Sequence, residues 1–309
     1  MTSLRQLEYL VTVVDEGSFT RAAELLHVTQ PALSHQVRAL ERSVGGPLLE
    51  RLPRTVRPTP MGRAMLPHAR AALAAAERGR CAARQASGLE CGELQLATLY
   101  SVSLGVLPPV LRCWRRENPD VHIRLFEHRH ADELREAMAA GEADIAVGPP
   151  PSGWEGPTRT IGEEEFVVVV PSDDPCAGAG TIELSALAER SWVHYAPGHG
   201  LASVLDQHCA AAGFQPRAAV RTDQTATAPI LAAAGLGPAL APANVIPPHF
   251  DGCVLRPEPP IRRVLAAYTR SAPDPLTSAF IDTLAANACV TPEHLRAVRT
   301  SSSTPNPRS

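Results

Sequence analysis

The residues from Thr29 to Arg42 have the side chains that read the edges of DNA base pairs. Gln can form two hydrogen bonds with adenine, Ser donates or accepts, and Pro can contact the methyl group of thymine. At helical spacing these side chains share one face, opposite an apolar stripe of Leu33, Val37, Leu40 and Val44: Gln30, Pro31, Ser34, His35, Arg38 and Arg42. The pattern is typical of a helix that enters the major groove, and equally of the solvated face of an ordinary three-helix bundle.

Three helices are predicted to position that face. The first begins with a capping box formed by Ser3 and Gln6 and ends at Gly17, while Ser18 and Thr29 cap the second and third. Apolar residues at three- and four-residue spacing are expected to be buried on the first two helices: Leu4, Leu7, Val11 and Val14, then Phe19, Ala22, Ala23 and Leu26. Two short helices joined by about three residues form a helix-turn-helix.

A basic hairpin, or wing, is predicted after the third helix. Residues 45–57 begin with a Gly-Gly-Pro turn and contain three arginines within seven residues: Arg51, Arg54 and Arg57. Guanidinium groups on such a wing can reach DNA phosphates or enter the minor groove.

A long helix follows the wing. Thr59 and Pro60 supply its cap and its first-turn proline, the pattern continues to about Ser87, and Pro67 is expected to bend the helix. Apolar residues recur at alternating three- and four-residue spacing: Leu66, Ala69, Leu73 and Ala76. This short seam favours dimerisation, with packing onto its own domain as the alternative.

Charge is distributed unevenly along the chain. Residues 1–90 contain 12 Arg against 8 Asp and Glu, a balance of +4, whereas the other 219 residues contain 17 Arg against 24 acids, a balance of −7. All 29 basic residues are Arg. The basic N-terminal part is therefore expected to meet a polyanion.

The sequence predicts a cytoplasmic protein with no membrane partner. No apolar stretch typical of a secretory signal follows the N-terminus, and the uncharged residues 226–250 are interrupted by five prolines. The 7 cysteines are scattered and form no C-x-x-C pair, which favours reduced thiols.

The remaining residues predict an α/β body. Strands are expected near 94–98, 121–125, 144–148, 166–170, 192–195, 218–220, 239–242 and 264–268, and helices near 106–117, 132–140, 184–189, 201–212, 225–234 and 277–288. This alternation is typical of parallel sheets, here in two lobes with the chain returning to the first. Ligands bind beyond the carboxyl ends of such strands, where Ser101 and Ser103 would suit an anionic or hydroxylated small molecule.

The N-terminal residues resemble the winged helix-turn-helix of the LysR-type transcriptional regulators. The resemblance is strongest in AAELLHVTQPALSHQVRALE within residues 19–41, and LLERLPRTVRPTPMG at 48–62 extends it. It implies that Gln30, Pro31 and Ser34 read bases and that Arg38, Arg51 and Arg54 lie near phosphates or the minor groove, in a DNA-binding set completed by Thr29 and His35. The chain departs from the family's usual residues at His35, Leu49 and Pro58.

The α/β body resembles the effector domain of the same family, which is similar to type 2 periplasmic binding proteins. The positions that match the family's cleft form the predicted effector site: Ser101, Ser103, Glu127, His128, Gly198, His199, Gly200 and Thr225. The resemblance also implies a homodimer, a homotetramer, binding to double-stranded promoter DNA and contact with RNA polymerase.

These observations predict an α/β multidomain protein that regulates transcription in response to a small molecule. Its predicted parts are a winged helix-turn-helix at 1–60 (the helix-turn-helix at about 18–38), a linker helix at 61–90, an effector domain at 91–299 and a disordered tail at 300–309. Within the effector domain, lobe I is predicted at 91–162 and 269–293, and lobe II at 163–268.

Other classes of function have less support in the sequence. His128 and His130 beside Glu127 could begin a metal site, but no third ligand stands at a recognisable spacing. A hydrolase using Ser101 would lack the G-x-S-x-G elbow. We therefore expect no enzyme activity, catalytic residue, metal or cofactor.

A thiol redox sensor of the same family is the remaining alternative. It would use Cys176 or Cys209, although neither has basic neighbours in the sequence that would lower the pKa of a thiol.

Overall fold

The computed structural model of the chain describes residues 2–52, 55–86 and 92–296. These residues divide into two compact units. The first contains the residues up to 95 together with 120–124 and 136–144, and the second contains 96–119, 125–135 and the residues from 145 onward.

Three helices form the start of the first unit: α1 (Leu4–Glu16), α2 (Phe19–Leu25) and α3 (Gln30–Val44). The predicted caps are present. Ser3 and Gln6 form the capping box of α1, and the side-chain oxygens of Ser18 and Thr29 accept hydrogen bonds from the first turns of α2 and α3. Gly17 ends α1 with a left-handed φ of 58°. The predicted helix-turn-helix elements are confirmed.

The buried face of α1 differs from the prediction. Leu7, Leu10 and Val13 are buried, whereas Leu4 is 46% exposed. The contact with α2 and α3 is centred on residues spaced three apart from Leu7, so Val11 and Val14 lie at its edge. The apolar residues predicted on the other two helices pack as expected: Phe19, Ala22, Ala23, Leu33, Val37 and Leu40.

A two-stranded wing follows α3, as predicted. Its strands β1 (Leu49–Arg51) and β2 (Val56–Pro58) pair antiparallel. One carboxylate oxygen of Glu41 on α3, Oε1, accepts hydrogen bonds from the N–H groups of Leu48 at 2.9 Å and Leu49 at 3.2 Å. A single acidic side chain therefore links the base of the wing to α3.

The long helix α4 (Pro60–Ala86) continues without a break through Pro67. Leu66 and Ala69 are buried in the same core as α1, α2 and α3, and Leu73 packs against that core. Leu66 and Ala69 therefore help to cover their own unit, whereas Leu73 and Ala76 are only partly buried, and dimerisation through this helix stays a prediction. The predicted end of the helix at Ser87 lies outside the described residues, as does the predicted tail.

Strands and helices alternate through the rest of the described chain. They are β3 (Gly92–Leu99), α5 (Tyr100–Gly105), α6 (Leu107–Glu117), β4 (Val121–His128), α7 (Ala131–Ala139), β5 (Ile145–Gly148), β6 (Thr158–Pro171), β7 (Thr181–Glu183), β8 (Ser191–Tyr195), α8 (Gly200–Ala211), β9 (Arg217–Thr222), α9 (Thr227–Ala233), β10 (Ala239–Pro242), β11 (Gly252–Glu258), β12 (Arg262–Tyr268), α10 (Pro275–Asn287) and α11 (Glu293–Arg296). The predicted helix near 184–189 is a short 3₁₀ helix, and β7, β11 and α11 were not predicted.

The main sheet is mixed, so the prediction of parallel sheets is wrong in part. Its order is β4-β3-β5-β12-β6-β11-β7, with β10 also paired to β6. The pairs β3–β5 and β7–β11 are parallel, whereas β12 is antiparallel to β5 and β6, and β10 and β11 are antiparallel to β6. The cause is β6, whose 14 residues pair with β12 along one part and with β10 and β11 along another.

Two helix N-termini border the predicted ligand site. Helix α5 follows β3 directly, and α8 follows β8 after a turn in which Gly198 has a φ of 83°. Strand β8 pairs in parallel with β9 in a separate two-stranded sheet. In the described part of the chain no helix is both long and apolar enough to span a membrane.

Candidate DNA-reading helix and effector cavity

Most of the predicted DNA-reading face is open to solvent. Thr29, Gln30, Pro31, His35 and Arg38 are exposed on the first turns of α3. They are therefore free to meet a DNA groove, since a helix of this motif contacts base edges with its N-terminal residues.

Ser34 differs from the rest of this face, because it is only 6% exposed and lies between the buried Leu33 and Val37. Its contact with a base stays a prediction. A small hydroxyl residue at the margin of a wide buried stripe cannot be distinguished from an exposed one by spacing alone.

The tip of the wing lies outside the described residues. Arg54 is among the residues not described, and of Arg51 only the backbone is described. The contacts predicted for these two arginines with phosphates or the minor groove remain predictions. Arg57 on β2 is exposed.

A cavity of about 210 Å³ opens in the second unit where the ends of β3 and β4 meet the start of α8. Four of the eight predicted effector residues line it: Ser101, His199, Gly200 and Thr225. Polar lining residues that the sequence analysis did not assign to the effector site are Tyr100, Arg129, His130, Ser203, Gln207 and Arg263. No Asp or Glu is among the described residues of the lining.

The other four predicted residues lie outside the lining. The hydroxyl of Ser103 donates a hydrogen bond to the carboxylate of Glu127, so these two side chains are hydrogen-bonded to each other. His128 has a buried Nε2 with no hydrogen-bond partner among the described residues. Gly198 forms the turn before His199. These four residues do not line this cavity, and their assignment to the effector site stays a prediction.

Two hydroxyl side chains of the lining are almost fully buried. Ser101 is 3% exposed and Thr225 is 2% exposed. The hydroxyl of Ser101 makes no hydrogen bond to any described residue, and that of Thr225 lies 3.4 Å from Nε2 of His199. Because both residues line the cavity, a ligand there could form hydrogen bonds with these hydroxyls.

His199 is held in a closely defined position. It caps α8, with its Nδ1 accepting a hydrogen bond from the N–H of Leu201 at 3.2 Å. Its ring stacks on Tyr195 with the centroids 4.8 Å apart. Burial lowers the pKa of His199 below its usual value of 6.5. Nearby charges act in both directions: the acids Asp223 and Glu133 raise it, and Arg129 and His130 lower it.

The loop after β4 is attached to the start of α8 by a backbone hydrogen bond. The N–H of Gly200 donates to the carbonyl oxygen of Arg129 at 3.0 Å. A Cβ at position 200 would lie 3.1 Å from that oxygen, so glycine permits the close approach. The first two amides of α8 are thus already paired with protein atoms.

A buried ion pair borders the cavity. Glu164 on β6 is fully buried and pairs with its cross-strand neighbour Arg263 on β12, whose Nε lies 2.9 Å from Oε2. The other carboxylate oxygen accepts a hydrogen bond from Nδ2 of Asn244 at 2.9 Å. The guanidinium group of Arg263 also lies over the ring of Phe166. Its charge is therefore balanced before any ligand arrives.

Two of the described thiols lie in surroundings that oppose reactivity, and the other candidate, Cys176, is partly buried against the core. Cys209 is completely buried on α8, and burial raises its pKa to about 12. Burial also raises the pKa of Cys253, whose Sγ donates to the carbonyl oxygen of Ala177. Because the thiolate is the form that reacts with peroxide, this environment disfavours the redox alternative. No group of three His, Cys, Asp or Glu suited to a metal occurs among the described residues.

A winged helix-turn-helix together with a two-lobed α/β domain that contains a cavity defines the class of ligand-responsive DNA-binding regulators. Two family models match the chain: the bacterial regulatory helix-turn-helix protein of the lysR family at residues 4–63, and the LysR substrate binding domain at residues 87–289. The chain belongs to the LysR family of transcriptional regulators.

Individual relatives agree with this assignment. The chain is 33% identical to the HTH-type transcriptional regulator ShiR of Corynebacterium glutamicum, with 79% of this chain and 86% of ShiR covered. It is 34% identical to IlvR of Caulobacter vibrioides, with 78% and 83% covered. A variant of full-length OxyR from Pseudomonas aeruginosa has a similar structure, with a TM-score of 0.70, 26% identity and coverage of 93% and 97%. CbnR in complex with its target DNA matches with a TM-score of 0.59, 26% identity and coverage of 96% and 100%.

Proposed function

We propose that a small molecule binds in the cavity lined by Ser101, His199 and Thr225 and thereby changes how the protein engages promoter DNA. The observation that carries this proposal is Ser101, a buried residue that lines the cavity and whose hydroxyl makes no hydrogen bond to a described residue. A ligand that accepts or donates a hydrogen bond there gains about 0.5–3 kcal/mol, with the upper part of this range for a charged ligand.

The proposed mechanism is linkage between two sites. A ligand that favours one arrangement of the lobes shifts the protein toward the state with that arrangement, and the affinity for DNA shifts by the same coupling free energy, typically about 1–3 kcal/mol. We further propose that the protein works as a homodimer and homotetramer in the cytoplasm, with parts of α4 not used by its own core available for dimer contacts.

On the DNA side, we propose that Gln30 and Pro31 contact base edges while Arg38, Arg51 and Arg54 contact the backbone or minor groove. The exposure of Gln30, Pro31 and Arg38 supports this assignment. His35 stands beside them with an imidazole that can bond to a base or a phosphate.

The DNA assignment is tested by fluorescence anisotropy on the DNA immediately upstream of the gene, against scrambled DNA, across a range of salt concentrations. We expect a preference of about 10³ or more for the specific site. Gln30→Ala should relax sequence preference at one position, whereas Arg54→Ala should weaken binding to all sequences and lower the salt slope by about one. Arg217→Ala, an exposed arginine on β9, is the matched control. Equal losses from Gln30→Ala on all DNA would contradict its base-reading role.

The effector assignment is tested on the same assay. Candidate small molecules are screened for a shift in specific DNA affinity, and Ser101→Ala should reduce the affinity for an active compound about fivefold to 100-fold. A compound that acts equally on the wild type and on Ser101→Ala binds elsewhere, and that result would overturn the proposed site.

A further inference from the structure

His199 has one available hydrogen-bonding state in this structure. Its Nδ1 faces the N–H of Leu201 at 3.2 Å, and a backbone N–H can only donate. Nδ1 must therefore accept, so the ring proton resides on Nε2. The ring also stacks on Tyr195, and His199 is only 3% exposed.

The ring is also neutral. A second proton on Nδ1 would point at the Leu201 N–H, and burial lowers the pKa of His199 from its ordinary value. The neutral form with hydrogen on Nε2 is consistent with both the contact and the burial.

The tautomer of His199 determines whether the hydroxyl of Thr225 donates or accepts in the hydrogen bond between them. Nε2 of His199 lies 3.4 Å from Oγ1 of Thr225, so Nε2–H donates and Oγ1 accepts. Thr225 is 2% exposed and lines the cavity, and its hydroxyl has no second partner among the described residues. Its own proton therefore remains to be donated into the cavity.

We propose that His199 is a positioning residue that fixes Thr225 as a hydrogen-bond donor, so that this wall of the cavity selects a carboxylate. The inference rests on the proposed effector site and adds the class of its ligand. Ser101 supplies a second hydroxyl on the same cavity, and no acidic side chain is among the described lining residues. Arg129 supplies a positive charge on the lining, and its Nη1 lies 3.9 Å from Oδ1 of Asp223, which is outside the lining. A carboxylate can accept hydrogen bonds from the two hydroxyls and from the guanidinium group. The NH₂ group of a primary amide can only donate, so it would face the donating hydroxyl of Thr225 without an acceptor.

The proposal is tested by comparing the affinities of carboxylates with those of the primary amides of the same shape. Acetate, propionate and benzoate are compared with acetamide, propionamide and benzamide by saturation-transfer NMR on the full-length protein, up to about 10 mM. We expect at least one acid to bind at least about tenfold more tightly than its amide, and Thr225→Val to remove most of that ratio. Amides that bind as well as acids, or no acid that binds, would overturn the carboxylate assignment.

Separate variants test the positioning role of His199. His199→Asn keeps a side chain that can cap α8 but removes the donor to Thr225, so the acid-to-amide ratio should fall while the protein stays folded. Thr225→Ser keeps the hydroxyl and should keep the ratio. His249→Asn, an exposed histidine outside the cavity, is the matched control. An unchanged ratio in His199→Asn would overturn the positioning role.

A spectroscopic readout is independent of any ligand. The ¹⁵N imidazole signals of His199 should show the neutral form with hydrogen on Nε2 at pH 7, and a signal for hydrogen on Nδ1 would overturn the proposal. Failure here is distinguishable from failure of the regulator assignment, because specific DNA binding is measured separately in the anisotropy assay.

Discussion

Replacing Glu41 by alanine is expected to release the wing from α3. Two N–H groups, of Leu48 and Leu49, converge on one oxygen of this partly buried carboxylate. Hydrogen bonds to charged groups contribute about 1.5–3 kcal/mol each. Because both end on the same oxygen and water can reach it, we expect a total loss of about 2–3 kcal/mol in the free energy of unfolding of the first unit.

The effect on DNA binding follows from the arginines that the wing carries. Each phosphate contact contributes about 0.9 to the dependence of log K on log salt. If Arg51, Arg54 and Arg57 all lose their phosphate contacts, the magnitude of the slope of log K against log salt should decrease by about 2–3. Thermal or urea unfolding measures the first quantity, and anisotropy titrations at several salt concentrations measure the second.

Glu41→Gln is the matched control. Its amide oxygen can accept both hydrogen bonds without the negative charge, so the variant should keep most of the salt slope and lose only about 1 kcal/mol. A Glu41→Ala protein with the slope of the wild type would refute the reasoning, since it would show that the wing keeps its place through other contacts.

Three further predictions concern the second unit. Arg263→Ala should lower the free energy of unfolding by about 3–5 kcal/mol in urea titrations, because Glu164 would remain buried without its partner; a loss below about 1 kcal/mol would contradict this. As pH falls below about 6.5, the unfolded chain takes up a proton at His199 before the folded chain does, so stability should decrease toward pH 5.5. The part of that decrease due to His199 should vanish in His199→Asn, and an identical pH profile in the two proteins would contradict the lowered pKa. Gly200→Ala should strain the hydrogen bond to Arg129 and weaken ligand binding up to about tenfold by calorimetry, and unchanged affinity would show that the loop adapts.

The helices of the first unit could be predicted from the sequence because their signals are local. Ser3, Ser18 and Thr29 cap helices in the structure as their residue types indicate. The burial of Ser34 was not predicted, because residue spacing does not locate the margin of a wide buried stripe.

The sheet and the cavity were only partly predictable, since they depend on contacts between distant residues. The alternating pattern located most strands but not their direction, because strand periodicity is the same in parallel and antiparallel pairs. Ser101, His199 and Thr225 were found because they stand at the ends of strands or the starts of helices. Arg263 was missed because its place on the cavity follows from pairing with Glu164, 99 positions away in the sequence.

The pairing of Glu164 with Arg263 has a consequence for the ways in which the effector domain can move. On one side of this pair, β6 and β12 are joined by β5, and on the other side β6 is joined by β10 and β11. Between them the sheet narrows to two strands that are held by a buried ion pair, next to an irregular register at Leu265 and Ala266. Separating the two charges would be costly, so we expect an opening motion to keep this pair together and to turn about an axis through the narrow segment. Residues far from that axis then travel furthest, and the wall that carries His199 and Thr225 moves relative to Ser101 while Arg263 stays close to the pivot.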